Sequence, residues 1–177
     1  LTTDQEFEFD FIIYATGFDA IFGSYSRIDI RGVNQRRLKD QCEEELATFL
    51  GFQTNGFPNL FMIMGPHAMQ GNNPRNIEYN VEWITDVIRY MNDRGLTRAE
   101  PSLESQKGWH DYVLEQGKDL LMTQVDSWFT GINSNIEGRQ TRITAMYRGS
   151  MQSFRNRCAE ATQNGYKELL KGPSKKV

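Results

Sequence analysis

Phe7, Phe9 and Phe11 alternate with Glu8 and Asp10, and the chain then runs without a polar break through Ile12, Ile13, Tyr14 and Ala15. Alternation passing into a continuous apolar run predicts a strand over 7–15 that enters a sheet buried on both faces. Thr16-Gly17 ends it, because Gly admits a sharp turn that a side chain would obstruct. A second apolar run over 60–64, bounded by Pro58-Asn59 and Gly65-Pro66, predicts another buried strand. Residues 28–30 fit a short strand and 40–49 a short helix.

The next pattern is helical. After a loop at 67–73 containing Gly71-Asn72-Asn73, Asn73 as N-cap and Pro74 at the first helical position start a helix. Ile77, Val81, Ile84, Ile88 and Met91 recur at helical spacing, with Glu78, Glu82, Arg89 and Asp93 on a more polar side. Tyr79, Trp83 and Tyr90 broaden the apolar surface, and Gly95 is the stop. A second helix, capped by Ser102, is expected to reach about residue 125. Residues 126–142 read as loop, with Gly131, Asn133, Asn135 and Gly138; 143–147 as extended; and 150–164 as helix.

Composition narrows the function classes. With 177 residues the chain can bury a sizeable core. A formal net charge of −3 gives nucleic-acid binding no electrostatic support. Lys167, Lys171, Lys175 and Lys176 make a mildly basic tail, read as a solvated terminus. No apolar run approaches the roughly 18 residues a membrane span needs. The opening residues are polar and acidic, so neither a signal peptide nor a membrane partner is expected, and the location is read as cytoplasmic. Cys42 and Cys158 are too few for a disulfide framework or zinc knuckle and are read as packing residues. Leu1 runs almost at once into the first strand, as though the chain begins inside a fold.

Chemistry of the chain's own is hard to find. No G-x-G triplet, P-loop or G-x-S-x-G elbow occurs. His67 and His110 have no metal-ligand spacing, so no metal is expected. His67, in the loop after Gly65-Pro66, is a candidate general base, though a lone loop histidine is more often just partly exposed. Glu43-Glu44-Glu45 reads as a solvated face.

Three segments carry a resemblance. Residues 10–19, Asp-Phe-Ile-Ile-Tyr-Ala-Thr-Gly-Phe-Asp, are followed by 27–32, Arg-Ile-Asp-Ile-Arg-Gly; 56–66 and 76–83 form the second; Ser127-Trp128-Phe129-Thr130-Gly131-Ile132-Asn133 is the third. Together they resemble the C-terminal part of Baeyer–Villiger monooxygenases. The resemblance implies an α/β fragment: the C-terminal part of a FAD-binding Rossmann-like domain with a few buried strands, plus a mainly helical C-terminal segment. It implies returning strands in 1–66, a pocket loop and capping helix in 67–100, and a helical segment in 101–177 with a late loop at 126–142.

The implied parent uses FAD and NADPH to insert one oxygen of O₂ beside a ketone carbonyl, giving an ester or lactone. Its nucleotide-binding motifs and catalytic arginine would lie upstream, so the implied partner is an N-terminal FAD/NADP-binding half, and no independent catalysis is expected. The resemblance assigns Ala15, Thr16 and Gly17 to the FAD side, Gln70, Gly71 and Asn73 to the substrate wall, with Asn73 also near the cofactor. It assigns Trp128 to nicotinamide and substrate. Arg139 and Arg142 are candidates for the NADPH phosphates, and the motif fixes neither. Gln70 and Asn73 stand where bulkier or more apolar residues are usual, which suggests a more polar pocket. Two alternatives remain: an N-hydroxylating or sulfur-oxidising flavin monooxygenase, which shares the A-T-G turn, and a stand-alone binding module without flavin.

Overall fold

The computed structural model describes residues 5–15, 22–69, 71–133 and 142–172, with only the backbone of Trp128 and Leu170. Short helices α1 (Gly23–Ser26) and α2 (Leu38–Glu44) precede the long α3 (Asn73–Asp93). Strand β1 (Arg98–Pro101), helix α4 (Leu103–Gly117), helix α5 (Met151–Gln163) and strand β2 (Leu169–Gly172) follow. Single 3-10 turns occupy Leu121–Thr123 and Trp128–Thr130.

The helix starts follow from their caps. Asn72, Ser102 and Ser150 each accept a hydrogen bond from the backbone N–H three residues on, satisfying a donor that the first turn leaves open. The α3 cap is therefore Asn72, one residue before the predicted Asn73. Helix α4 stops at Gly117, short of 125, where the Thr123 hydroxyl turns back to the Gly117 carbonyl at 3.1 Å. Helix α2 ends at Glu44 because the chain beyond it enters the core as coil.

An aromatic cluster holds the three long helices together. Phe52 stacks on Trp83 of α3 at 4.6 Å, and Phe154 of α5 meets Phe52 edge-on at 6.0 Å. Trp109 of α4 stacks on Tyr147 at 5.3 Å, and Trp83 Nε1–H donates to the Cys158 carbonyl at 3.2 Å. Burial pushes the Cys158 thiol up to about 12, so it packs as an uncharged group.

Helix α3 buries only part of the stripe its aliphatic spacing suggests: Ile84 and Met91 of that stripe are buried, whereas its other three members are not. Asn76, Asn80, Trp83, Ile84, Val87 and Met91 point inward, while Ile77, Val81 and Ile88 are 40–43 % exposed. Two stripes competed, and the one bearing asparagines faces the core because the coil packed there has backbone groups to satisfy.

That coil spans 46–69. Residues 46–54 and 65–68 are all buried, without a regular ladder. Side chains of the coil and of its neighbours bond backbone groups across the boundary in both directions. Gln53 Nε2 donates to the Ala99 carbonyl at 3.1 Å, Asn55 Nδ2 to the Pro101 carbonyl at 2.8 Å, and the Gly56 N–H to Glu100 at 2.8 Å. Gln106 Oε1 accepts from the Asn55 N–H at 2.7 Å, and Gln41 Nε2 donates to the Asn55 carbonyl at 3.1 Å. Asn59 lies along β1 like a missing strand. Its N–H donates to the Ala99 carbonyl and its Oδ1 accepts from the Ala99 N–H, both at 2.9 Å. On the other edge β1 pairs antiparallel with β2, Arg98 opposite Gly172 and Pro101 opposite Leu169.

The predicted buried strands are corrected. Residues 7–15 form no strand, and Phe11 and Ile13 are each 88 % exposed: a strand needs a neighbour to bond, and among the described residues none pairs with this segment. Residues 60–64 form no strand: Asn59 and Met64 at either end have φ of 62° and 55°, left-handed turns that break a run. Nor do 28–30 form one, although Arg31 and Arg37 make an isolated bridge. The strands that do form, β1 and β2, were not legible in the pattern. Truncating Trp83 to Ala should destabilise the fold by about 3–5 kcal/mol, read from the shift in urea midpoint; a loss near that of an exposed site would contradict this packing.

Candidate functional site

The loop at 65–72 is held from three sides. Gly65 lies so close to the Gly51 carbonyl that an added Cβ would be 2.5 Å from it. From α3, Asn80 Oδ1 accepts the Met64 N–H at 2.9 Å, and Asn76 Nδ2 donates to the Met69 carbonyl at 3.3 Å. From the third side, Met69 pairs in parallel with Tyr147, and the His67 N–H donates to the Ala145 carbonyl at 3.0 Å. What emerges into solvent is the tip: Gly71, Asn72 and Asn73 are exposed. Gly71 has a φ of +138°, with open space where a side chain would begin.

His67 is fully buried, which removes it as an exposed general base. Its Nε2 lies 2.7 Å from the Thr144 carbonyl, and a carbonyl only accepts, so Nε2 carries the hydrogen. Nδ1 lies 3.5 Å from Thr48 Oγ1, whose own hydrogen goes to the Pro66 carbonyl at 2.8 Å. Burial, with the His110 ring 5.3 Å away, lowers the His67 pKa to about 4. The ring is neutral at neutral pH.

Of the sequence-predicted site residues, Gly71 and Asn73 share the exposed tip of one loop. Ala15 is exposed in the N-terminal segment. Thr16, Gly17, Gln70 and Arg139 lie outside the described residues, as does the side chain of Trp128. The backbone of Trp128 belongs to the turn Trp128–Thr130, and the Ile143 N–H donates to the Thr130 carbonyl at 2.8 Å. Segment 143–147 thus touches both the 128–130 turn and the 65–69 loop, bringing two predicted pocket segments to one frame. A cleft of about 90 Å³ lies there, lined by Phe129, Thr130, Arg142, Thr144 and Arg148. Arg142 in this cleft pairs with Asp126 at 2.7 Å.

The sequence reading missed Asn76 and Asn80 as the supports of the loop. Their signal was available: two asparagines four apart in a helix are unfavourable unless their amides are used. A larger cleft, about 290 Å³, is walled by Phe49, Leu50, Trp109 and Tyr112, and none of the predicted site residues lines it. Among the described residues, no group of three His, Cys, Asp or Glu could hold a metal ion, and no helix is long and apolar enough to cross a membrane.

Because the folded His67 ring resists protonation until about pH 4, while the unfolded ring accepts it near its usual 6.5, the unfolded chain binds more protons between those values. Stability from this group is complete above the unfolded value and is lost as pH falls through the window, by about 3 kcal/mol in all. Urea midpoints followed from about pH 7 down to about pH 4 should fall along this window. The slope should flatten in His67→Gln; an unchanged slope would assign it to another group.

No family model matches the chain. Curated relatives nevertheless align along almost all of it. A 2-oxo-Δ3-4,5,5-trimethylcyclopentenylacetyl-CoA monooxygenase of Pseudomonas putida is 36% identical over 169 residues, covering 93% of this chain and 31% of that protein. A Baeyer–Villiger monooxygenase of Pseudooceanicola batsensis is 34% identical over 171 residues, 97% of this chain and 31% of that one. A phenazine N-monooxygenase of Lysobacter antibioticus is 32% identical, over 96% of this chain and 31% of that one. Among solved structures, closed cyclohexanone monooxygenase superposes with a TM-score of 0.84 at 35% identity, over 90% of this chain and 30% of that one. OTEMO in complex with FAD and NADP gives 0.83 at 33%, over 96% and 31%. The chain therefore spans about 31% of the length of the first of these relatives. Over that span its sequence and its backbone are similar to those of Baeyer–Villiger and cyclohexanone monooxygenases, of which it matches about a third.

Proposed function

We propose that this chain is the C-terminal part of an FAD- and NADPH-dependent Baeyer–Villiger monooxygenase. A ketone, O₂, NADPH and a proton become an ester or lactone, NADP⁺ and water. The observation that carries this reading is the alignment of nearly the whole chain with a Baeyer–Villiger monooxygenase, at a backbone likeness of 0.84 to cyclohexanone monooxygenase. When bound, the flavin supplies the oxygen activation, and the protein's share is to bind, orient and shield.

The residues present fit that share. The open face at Gly71 lets a flat ring or a ketone approach the backbone closely. Gln70, Gly71 and Asn73 would form the substrate wall, Asn73 also meeting the cofactor, and Ala15, Thr16 and Gly17 the turn toward FAD. Trp128 would reach nicotinamide and substrate from the late turn. Residues 1–66 return to the FAD-binding domain, 67–100 supply the pocket loop with its capping helix, and 101–177 the helical end with its loop at 126–142. The proposed partner is an N-terminal FAD/NADP-binding half. Its support is the exposed apolar surface: Phe9, Phe11, Ile12, Ile13 and Tyr14 are 67–88 % exposed, and Ile77, Val81 and Ile88 form a bare stripe on α3. Paired with a sheet from that half, 7–15 would become the strand its sequence calls for.

The likeness to a phenazine N-monooxygenase supports a second reading, oxidation of a ring nitrogen by the same cofactors. Absorption spectra of the protein with its N-terminal half should show oxidised-flavin bands, and the chain alone should show none. NADPH oxidation should then rise with cyclic ketones and yield lactone by mass spectrometry. Inert ketones together with N-oxide from a phenazine would favour the second reading, and a colourless assembly inert with both would sink each of them.

A further inference from the structure

Three links join the 65–69 loop to a segment 77 residues away along the chain. The His67 N–H donates to the Ala145 carbonyl, the His67 ring donates to the Thr144 carbonyl, and Met69 bridges to Tyr147. His67 makes two of the three. It does so with a φ of 65°, a left-handed conformation that an L residue holds only when its surroundings fix it. On the far side the seam continues. Ile143 is bonded to the Thr130 carbonyl, and Gly131 packs so tightly on it that an added Cβ would lie 2.3 Å from Ile143 Cγ1. On the near side, Asn76 carries the seam from Met69 into α3.

We propose that His67 is a positioning residue that couples the pocket loop at 65–73 to the late turn at 127–131, so that the two hold or lose their arrangement together. The role of these segments in a ketone and nicotinamide pocket rests on the reading above; their coupling rests on the seam alone. The ring suits the task. The ring is fully buried and its bond to the half-buried Thr144 carbonyl is short, so removing it takes away that carbonyl's donor from within the fold. The bond also runs from a side chain to a backbone carbonyl and joins segments that are otherwise coil, so displacement of either strains the other. A histidine that merely filled the core would disturb its own loop and leave the late turn in place.

Hydrogen exchange by mass spectrometry in the full flavoprotein tests this without relying on turnover. His67→Asn tolerates the left-handed backbone but is too short to reach Thr144, whereas His67→Gln keeps an amide donor. In the Asn variant, exchange should rise about tenfold in peptides from both 65–69 and 127–133. It should stay unchanged in α5, and return toward the parent level in the Gln variant. Coupling is reciprocal, so Gly131→Ala, which pushes on Ile143, should raise exchange at 65–69 without touching His67. A rise confined to 65–69 in the Asn variant, or no response at 65–69 to Gly131→Ala, would overturn the proposal. If His67→Asn does not fold, the Gly131→Ala result decides. In the same samples flavin content should hold while lactone formed per NADPH consumed falls. Coupled exchange with that ratio unchanged would support the seam and overturn the pocket reading instead.

Discussion

Irregular backbone buried in a protein core must find a partner for every N–H and carbonyl, and this need organises the whole chain. The coil at 46–69 lies between the helices and β1 with hardly a ladder of its own. Side chains do what a sheet would otherwise do. Gln41 comes from α2, Asn80 from α3, Glu100 from β1 and Gln106 from α4, while Gln53, Asn55 and Asn59 reach out from the coil itself. Helices α3 and α4 are therefore tied to the same segment by polar bonds as well as by the aromatic cluster. The loop at 65–72 is the last stretch of that coil and takes its fixed position from the same supports.

This explains which parts of the fold could be read from the sequence. Helix existence is local: Ser102, Ser150 and the Asn72-Asn73-Pro74 start are caps whose chemistry depends on the next few residues only. Those helices stand where the pattern puts them, to within a residue at their starts. Helix facing is not local. The aliphatic spacing of Ile77, Val81 and Ile88 is as regular as that of the buried stripe, and it is the coil's need for a donor at Met69 and an acceptor at Met64 that brings Asn76 and Asn80 inward. The 60–64 run has a strand's composition, but the left-handed turns at Asn59 and Met64 are set by packing on β1 and α3 and leave no mark on hydropathy.

The candidate site was legible through resemblance more than through physics. Gly71 and Asn73 do share one exposed tip, and the turn bearing Trp128 does join the segment beside that loop. His67 stood in the sequence as a possible base; its ring is instead buried and committed to Thr144. A single histidine looks the same on paper in either role, because burial is a property of the assembled chain. The 7–15 segment makes the complementary point: its pattern is that of an inner strand, and among the described residues no strand pairs with it.

Asn59 has a bearing on association between copies. An unpaired strand edge offers alternating donors and acceptors to any extended peptide that drifts past. On β1 the groups that would make that offer, the Ala99 N–H and carbonyl, are already occupied by one residue's side chain and backbone. The small sheet is thus finished on that side by an amino acid instead of a strand. Growth by stacking further chains along β1 is blocked at the place where it would start, while apolar surface stays open elsewhere, in the N-terminal segment, on α3 and at Ile28, Leu103 and Leu121.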